Sequence, residues 1–281
     1  MRRVLVALAF ASMLVLAGCT GGGGGTTAAP STTPQTPTAV ATTQQGPTNA
    51  SSIPESAYPP GTSADGVTNA SKLLAAHNDA LLRTDFATQE NTSIDRLAAN
   101  GTAQSAQRSL LRVDMDTEQA TVDLLSITNT TAGKQVRRTT AFTNGSIVAT
   151  RTTQNNQTNY QVRQAQSFRA MVTNGPRVGG LLSGASFTPV ASAQRGNRTL
   201  IRFDVTGLNE SALPANRSVR KVGGSLVVDD RGLIRSLSIR YQITNSDGVP
   251  LLARTYSLSV TPTSLDVSRP DWLQTAIDRS G

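Results

Sequence analysis

Few residues in this chain have the type and spacing to do chemistry, and the most specific is Cys19. It is the only cysteine, and it closes the string Leu16-Ala17-Gly18-Cys19. A run of thirteen residues from Val4 to Leu16, almost all apolar, precedes it, with Arg2 and Arg3 in front. Basic, apolar, small, then thiol is the layout of a lipoprotein signal, in which segment 1–18 is removed and the Cys19 thiol receives the lipid. A membrane-spanning helix needs roughly twenty apolar residues, so this run is too short to remain as a span. One acyl chain binds a membrane only marginally, whereas a diacylglyceryl thioether carries two and anchors stably. A single cysteine allows no internal disulfide. Arg2-Arg3-Val4-Leu5 is part of a twin-arginine signal without its preceding Ser or Thr, which leaves both export routes open. The expected location is the cell membrane, lipid-anchored and facing outward.

The residues that would serve an enzyme are sparse. His77 is the only histidine. It falls on the apolar side of a helical pattern and reads as a core histidine rather than as a base or ligand. Without a second His or a free Cys, His/Cys metal sites and Cys–His nucleophiles are excluded. No Gly-x-Ser-x-Gly elbow supports a serine triad. Asp114, Asp116 and Glu118 alternate but lack the calcium-loop pattern, so they read as a solvated turn. Gly179-Gly180 is followed by no P-loop lysine. The sequence points to no enzyme, no metal and no cofactor.

Two surface signals remain. The chain carries a formal charge of +8, unevenly spread. No acidic residue lies between Asp123 and Asp204, a stretch that holds ten cations. Arg137, Arg138, Arg151, Arg163, Arg198 and Arg202 among them are the candidate anion-binding face, since a one-signed region attracts anionic lipid, acidic glycan or an acidic coat protein. Nucleic acid is not expected, because no recognition motif is present. Asn-X-Ser/Thr sequons are also dense. Asn49, Asn91, Asn100, Asn129, Asn144, Asn156, Asn197, Asn209 and Asn216 are candidate N-glycosylation sites, while the sequon at Asn69 coincides with a candidate helix cap.

The elements that must position these residues follow from periodicity. Segment 19–64 is almost wholly Gly, Thr, Ser, Ala, Pro and Gln, with Glu55 as its one charge. Such a composition buries too little apolar surface to order itself and reads as a tether. Residues 65–281 form a single domain. Leu73, Leu74, His77, Leu81 and Leu82 recur at helical spacing over Val67–Leu82, with Thr68 or Asn69 as cap. The period then changes to two, as in Leu237, Ile239, Tyr241 and Ile243, or Tyr256, Leu258 and Val260. Strands are expected near 86–94, 106–115, 119–128, 134–143, 146–153, 158–165, 185–193 and 197–206, with others around Leu226, Leu237 and Leu258. Asn144-Gly145, Asp229-Asp230-Arg231-Gly232 and Asn245-Ser246-Asp247-Gly248 supply the turns. Gln166 to Leu182 interrupts the meander as helix or loop, as does Asn209 to Asn216. Pro270-Asp271-Trp272-Leu273 opens a short C-terminal helix with proline in its first turn.

The lipobox, glycine run and Thr/Pro tether, with Tyr58-Pro59-Pro60-Gly61 ahead of the first helix and Pro270-Asp271-Trp272 at the end, resemble an uncharacterised family of haloarchaeal cell-surface lipoproteins. More distantly, one helix followed by a long curved antiparallel sheet resembles the half-barrels of bacterial lipoprotein carriers and mycobacterial lipid-binding lipoproteins. The resemblance implies an α+β, mainly β fold: an N-terminal helix, a curved half-barrel sheet and a short C-terminal helix. The family resemblance brings no activity with it; the residues themselves point to a non-enzymatic binding module of unknown ligand, and the mobile apolar segment Val178-Gly179-Gly180-Leu181-Leu182-Ser183-Gly184, able to gate a concave face, suggests a lipid or other apolar molecule. The other reading is a structural envelope component docked through its basic face.

Overall fold

A computed structural model describes residues 48–49 and 53–280, apart from 99, 100, 174 and 215. The signal segment, Cys19, most of the tether and Asn100 lie outside the described residues, as does the side chain of Asn49. In chain order the elements are β1 (Thr48–Asn49), β2 (Thr62–Ser63), β3 (Gly66–Val67), α1 (Ala70–Leu81), β4 (Phe86–Ala98), β5 (Gly101–Asp114), β6 (Gln119–Thr130), β7 (Gly133–Thr143), β8 (Ile147–Gln154) and β9 (Gln157–Gln164). There follow α2 (Phe168–Val172), α3 (Gly175–Gly184), β10 (Ala185–Arg195), β11 (Arg198–Leu208), β12 (Arg217–Asp229), β13 (Ile234–Asn245), β14 (Pro250–Pro262) and α4 (Leu273–Ser280). The architecture is α+β: a large, curved, open antiparallel sheet with four helices.

Twelve strands form that sheet in the order β1-β10-β11-β12-β13-β14-β4-β5-β6-β7-β8-β9. It is two meanders, β4–β9 and β10–β14, joined where β14 pairs with β4. The chain crosses from one end of the sheet to the other through α2 and α3. Residues directly opposite in an antiparallel pair point to the same side. One such row runs Phe203, Leu226, Leu237, Leu258, Glu90, Ser109, Leu124. Its apolar half packs with Leu73 and Leu81 of α1, Phe168 and Val172 of α2, and Val178 and Leu182 of α3. Phe142 and Ala149 belong to the opposite parity, and there they pack against Leu273 and Ala276 of α4. The sheet therefore carries a main core on one face and a small second core on the other.

Local chemistry explains the element ends. The Asn69 side-chain oxygen accepts from the Lys72 amide at 2.9 Å and caps α1. The helix opens at Ala70 rather than Val67, because Gly66–Val67 pairs with Thr62–Ser63. Gly66 sits at φ 106°, and a Cβ there would stand 1.8 Å from the Phe187 carbonyl oxygen, so only glycine permits this approach to β10. The tether reading also ends too late in the chain. Ile53, Ala57 and Tyr58 pack against the main core, and Glu55–Ala57 is a 3-10 turn. These scattered apolar side chains anchor a segment whose average composition suggests a free coil. Pro270 lies three residues ahead of α4, in a turn whose carbonyl accepts from the Leu273 amide at 3.0 Å, and not within its first turn.

The Gly-rich segment expected to act as a gate is the body of α3. Val178 and Leu182 are 0% and 2% exposed, so its apolar side is part of the core.

Candidate functional site

The helix-covered face changes character across its middle. Moving along the row from β13 to β6, Ile239 and Tyr256 give way to Thr92, Gln107 and Ser126. Val122 packs against the main core, and Leu124 and Ser126 beyond it on β6 are half-buried. At this boundary α3 contributes Arg177, which donates to the Glu90 carboxylate of β4. Glu90 is 7% exposed, whereas the Arg177 side chain is 41% exposed. Burying a carboxylate this deep costs it its hydration, and such a partner offsets that loss.

Beside the pair stand Tyr256 and, two residues earlier on the same side of β14, Arg254. Tyr256 is 1% exposed. Its hydroxyl has no hydrogen-bond partner, and neither does the buried Nε of Arg254. Burial pushes the Tyr256 hydroxyl up to about 12, against the opposing fields of Arg177 and Arg254. It is therefore a protonated donor at neutral pH. The large majority of buried polar atoms have partners, so two adjacent orphans need an explanation.

His77 is 2% exposed in α1. Its Nδ1 accepts the backbone N–H of Ile234 at 3.2 Å, which ties the helix to the β12–β13 hairpin. Burial holds its imidazole down to about 4, so it is neutral at pH 7. Gly232 in the same hairpin sits at φ 91°, and a Cβ there would lie 2.5 Å from that of Ala76. This histidine joins two elements. Asp114 accepts from the Thr117 amide at 2.9 Å, and those turn hydrogen bonds hold its carboxyl below the usual range. Among the described residues no group of three His, Cys, Asp or Glu side chains is arranged to hold a metal.

The six candidate arginines divide between the two faces. Strand parity puts Arg137 and Arg163 on the helix-covered side and Arg138, Arg151 and Arg202 on the other. Several carry acidic partners from beyond the acid-free stretch. Arg138 makes a two-pronged contact with Asp123 at 2.6 and 3.0 Å. Arg202 meets Asp204 at 2.9 Å, and Arg198 meets Asp230 at 3.4 Å. Arg151 lies 5.6 Å over the Trp272 ring, and Arg279 of α4 lies 5.3 Å over Tyr160, so these cations fasten α4 to β8 and β9.

The sequons also divide. Asn129, Asn156, Asn197, Asn209 and Asn216 are exposed. Asn144 accepts two turn amides at 3.2 and 3.1 Å. Asn91 lies mid-strand in β4 and donates to Ser257 at 3.4 Å. Near it the uncovered face of the sheet has two open hollows. One, of about 340 Å³, is lined by Arg202, Ser225, Ser238, Arg240, Thr255 and Ser257. The other, of about 230 Å³, lies between Asn91, Arg108, Leu125 and Ile127.

Glu90, Arg177, Arg254 and Tyr256 are not among the residues expected from sequence, although a signal for two of them is present. Arg254 shares the inward parity of Tyr256, Leu258 and Val260, and Glu90 that of Phe86. A charge at an apolar-parity position marks a partnered or functional group.

The fold and this boundary define an open curved-sheet protein with a helix layer over part of one face. The chain belongs to DUF7537, a family of unknown function, whose model matches residues 4–276. No curated protein matches it. Among solved structures it is similar to the LolA superfamily protein NE2245 from Nitrosomonas europaea, at 11% identity and TM-score 0.25 over 73% of this chain and 99% of that one. It is similar to a putative outer membrane lipoprotein-sorting protein domain from Vibrio parahaemolyticus, at 9% identity and TM-score 0.24 over 75% of this chain and 100% of that one. Rv2717c from M. tuberculosis is similar at 9% identity and TM-score 0.20, over 66% of this chain and 97% of that one.

Proposed function

We propose that this protein is a lipid-anchored, outward-facing binding module without enzymatic activity, whose ligand is a lipid or other apolar molecule lying on the helix-covered face. The observation that carries the reading is the incomplete cover of that face. The helix layer packs as far as Val122, and a half-buried wall of Thr92, Gln107, Leu124 and Ser126 continues past it. A wall of mixed polarity next to a packed core suits a ligand with an apolar body. Docking on an acidic coat through a basic face is the weaker reading, since Arg138, Arg198 and Arg202 already have carboxylate partners.

Two measurements test it. Native mass spectrometry of the purified protein should find a co-purified lipid or apolar molecule, and a ligand-free spectrum under gentle conditions argues against the reading. Anchoring rests on Cys19, because the apolar run from Val4 to Leu16 is shorter than the roughly twenty residues that a membrane-spanning helix needs. Cys19→Ser should move the protein from the membrane fraction to the medium. A variant that stays in the membrane refutes the anchor.

A further inference from the structure

We propose that Tyr256, Arg254 and Arg177 form a seat for a single oxyanion, a carboxylate or phosphate group, at the boundary between α3 and the β14–β4 seam. This deepens the binding-module reading by naming the polar end of its ligand, and it rests on that reading only for the apolar remainder.

Three observations converge here. The first is the pair of orphaned donors. The Tyr256 hydroxyl and the Arg254 Nε–H are buried and bond to nothing. Leaving such groups unpaired costs on the order of 1–3 kcal/mol each, so their retention two residues apart on one face of β14 calls for an acceptor that the chain itself does not supply. The second is charge. Arg177 and Arg254 both oppose the burial of Tyr256 in setting its ionisation, so two guanidinium charges lie within electrostatic reach of one hydroxyl. The missing acceptor is therefore anionic, and a planar or tetrahedral oxyanion matches what guanidinium groups bind best. The third is access. Arg177 is the exposed member of its pair and Glu90 the buried one, so Arg177 reaches solvent from the edge of the seat. Glu90, the carboxylate of this cluster, is already engaged by Arg177. An incoming oxyanion competes with it for that guanidinium.

The test is titration calorimetry on the purified protein with four probes: laurate, dodecyl phosphate, dodecanol and inorganic phosphate, the amphiphiles kept below micelle formation. Laurate and dodecyl phosphate should bind at least tenfold more tightly than dodecanol, the size expected for one charge-assisted hydrogen bond. Inorganic phosphate separates the sources. Binding as tight as that of dodecyl phosphate assigns the seat to a free anion, and tail-dependent binding assigns it to the head of an amphiphile. Either result supports the seat, so its fate is separable from that of the apolar-ligand reading. Tyr256→Phe should weaken oxyanion binding about tenfold or more while leaving the melting temperature unchanged or raised, because the deleted hydroxyl has no partner in the free protein. A purely structural hydroxyl would give the reverse, lower stability and unchanged binding. Glu90→Gln should strengthen binding severalfold by releasing Arg177. Equal affinity for dodecanol and the anions, or unchanged binding in a folded Tyr256→Phe variant, overturns the proposal.

Discussion

Acidification from pH 7 to pH 4 is expected to cost this fold about 3 kcal/mol through His77 alone. The imidazole titrates near 6.5 in an unfolded chain and is held to about 4 in the fold, by burial. Between those values the unfolded chain binds a proton that the folded chain refuses. The slope of stability with pH is then positive. The contribution is complete above about pH 6.5, falls as pH drops through that window, and is spent near pH 4. Charging the ring also removes the lone pair that accepts the Ile234 amide, which loosens the bond between α1 and the β12–β13 hairpin. Urea unfolding at pH 7 and pH 4 should show the loss. Carboxylates add their own pH dependence, so the informative quantity is a difference between proteins. His77→Leu should be less stable than the parent at pH 7 and should lose about 3 kcal/mol less on acidification. Parallel pH profiles for the two proteins would show that His77 is not buried neutral.

Phe203→Ala is expected to destabilise the protein by about 3–5 kcal/mol, the range for removing a buried aromatic ring from a packed interior. Phe203 is 0% exposed in β11, opposite Leu226, and belongs to the cluster that holds all three helices of the main core. The corresponding change on the other face, Phe142→Ala, removes a ring that is 1% exposed but sits in a core of only five buried residues. Its effect should concentrate in α4 and the β8–β9 edge. Hydrogen exchange would separate the two, with protection lost across β10–β14 in the first variant and near α4 in the second. An unfolding free energy that changes by under about 1 kcal/mol for Phe203→Ala in denaturant titrations would mean that the helix layer does not pack on the sheet as described.

Much of the fold is legible in the sequence because strand periodicity is a local property. Alternation over Leu237–Ile243 and Tyr256–Val260, with turns at Asn144-Gly145 and Asn245–Gly248, places the strands within a few residues of their observed ends. The Asn69 cap and the apolar side of α1 are equally local. Two features are not. The first is α3, whose glycines have poor intrinsic helix propensity, so that the stretch from Gln166 to Leu182 is legible only as helix or loop. Burial of Val178 and Leu182 overrides that preference. The second is pairing order, because nothing within β4 names β14 as its neighbour. The candidate site depends on both. Glu90 lies on β4, Arg254 and Tyr256 on β14, and Arg177 on α3, so the cluster exists only once these three have met. Carboxylate partners for the arginines of the acid-free stretch arise by a related route. Asp123, Asp204 and Asp230 lie at or outside its limits in sequence and beside its arginines in space.

The junction of the two meanders has a consequence for how the chain reaches this state. Phe86 pairs with Pro262 and Arg96 with Leu252, so the first long strand waits for the last before the sheet has a middle. Asn91 and Ser257, bonded across that seam, are 166 residues apart. Contacts of such separation are entropically late and slow to form. Until β14 arrives, one side of β4 is an unpaired edge, open to other chains. Loss of the C-terminal thirty or so residues would therefore not trim the sheet at its rim. It would remove the strand that joins its halves, leaving two incomplete sheets and a helix layer with half its floor.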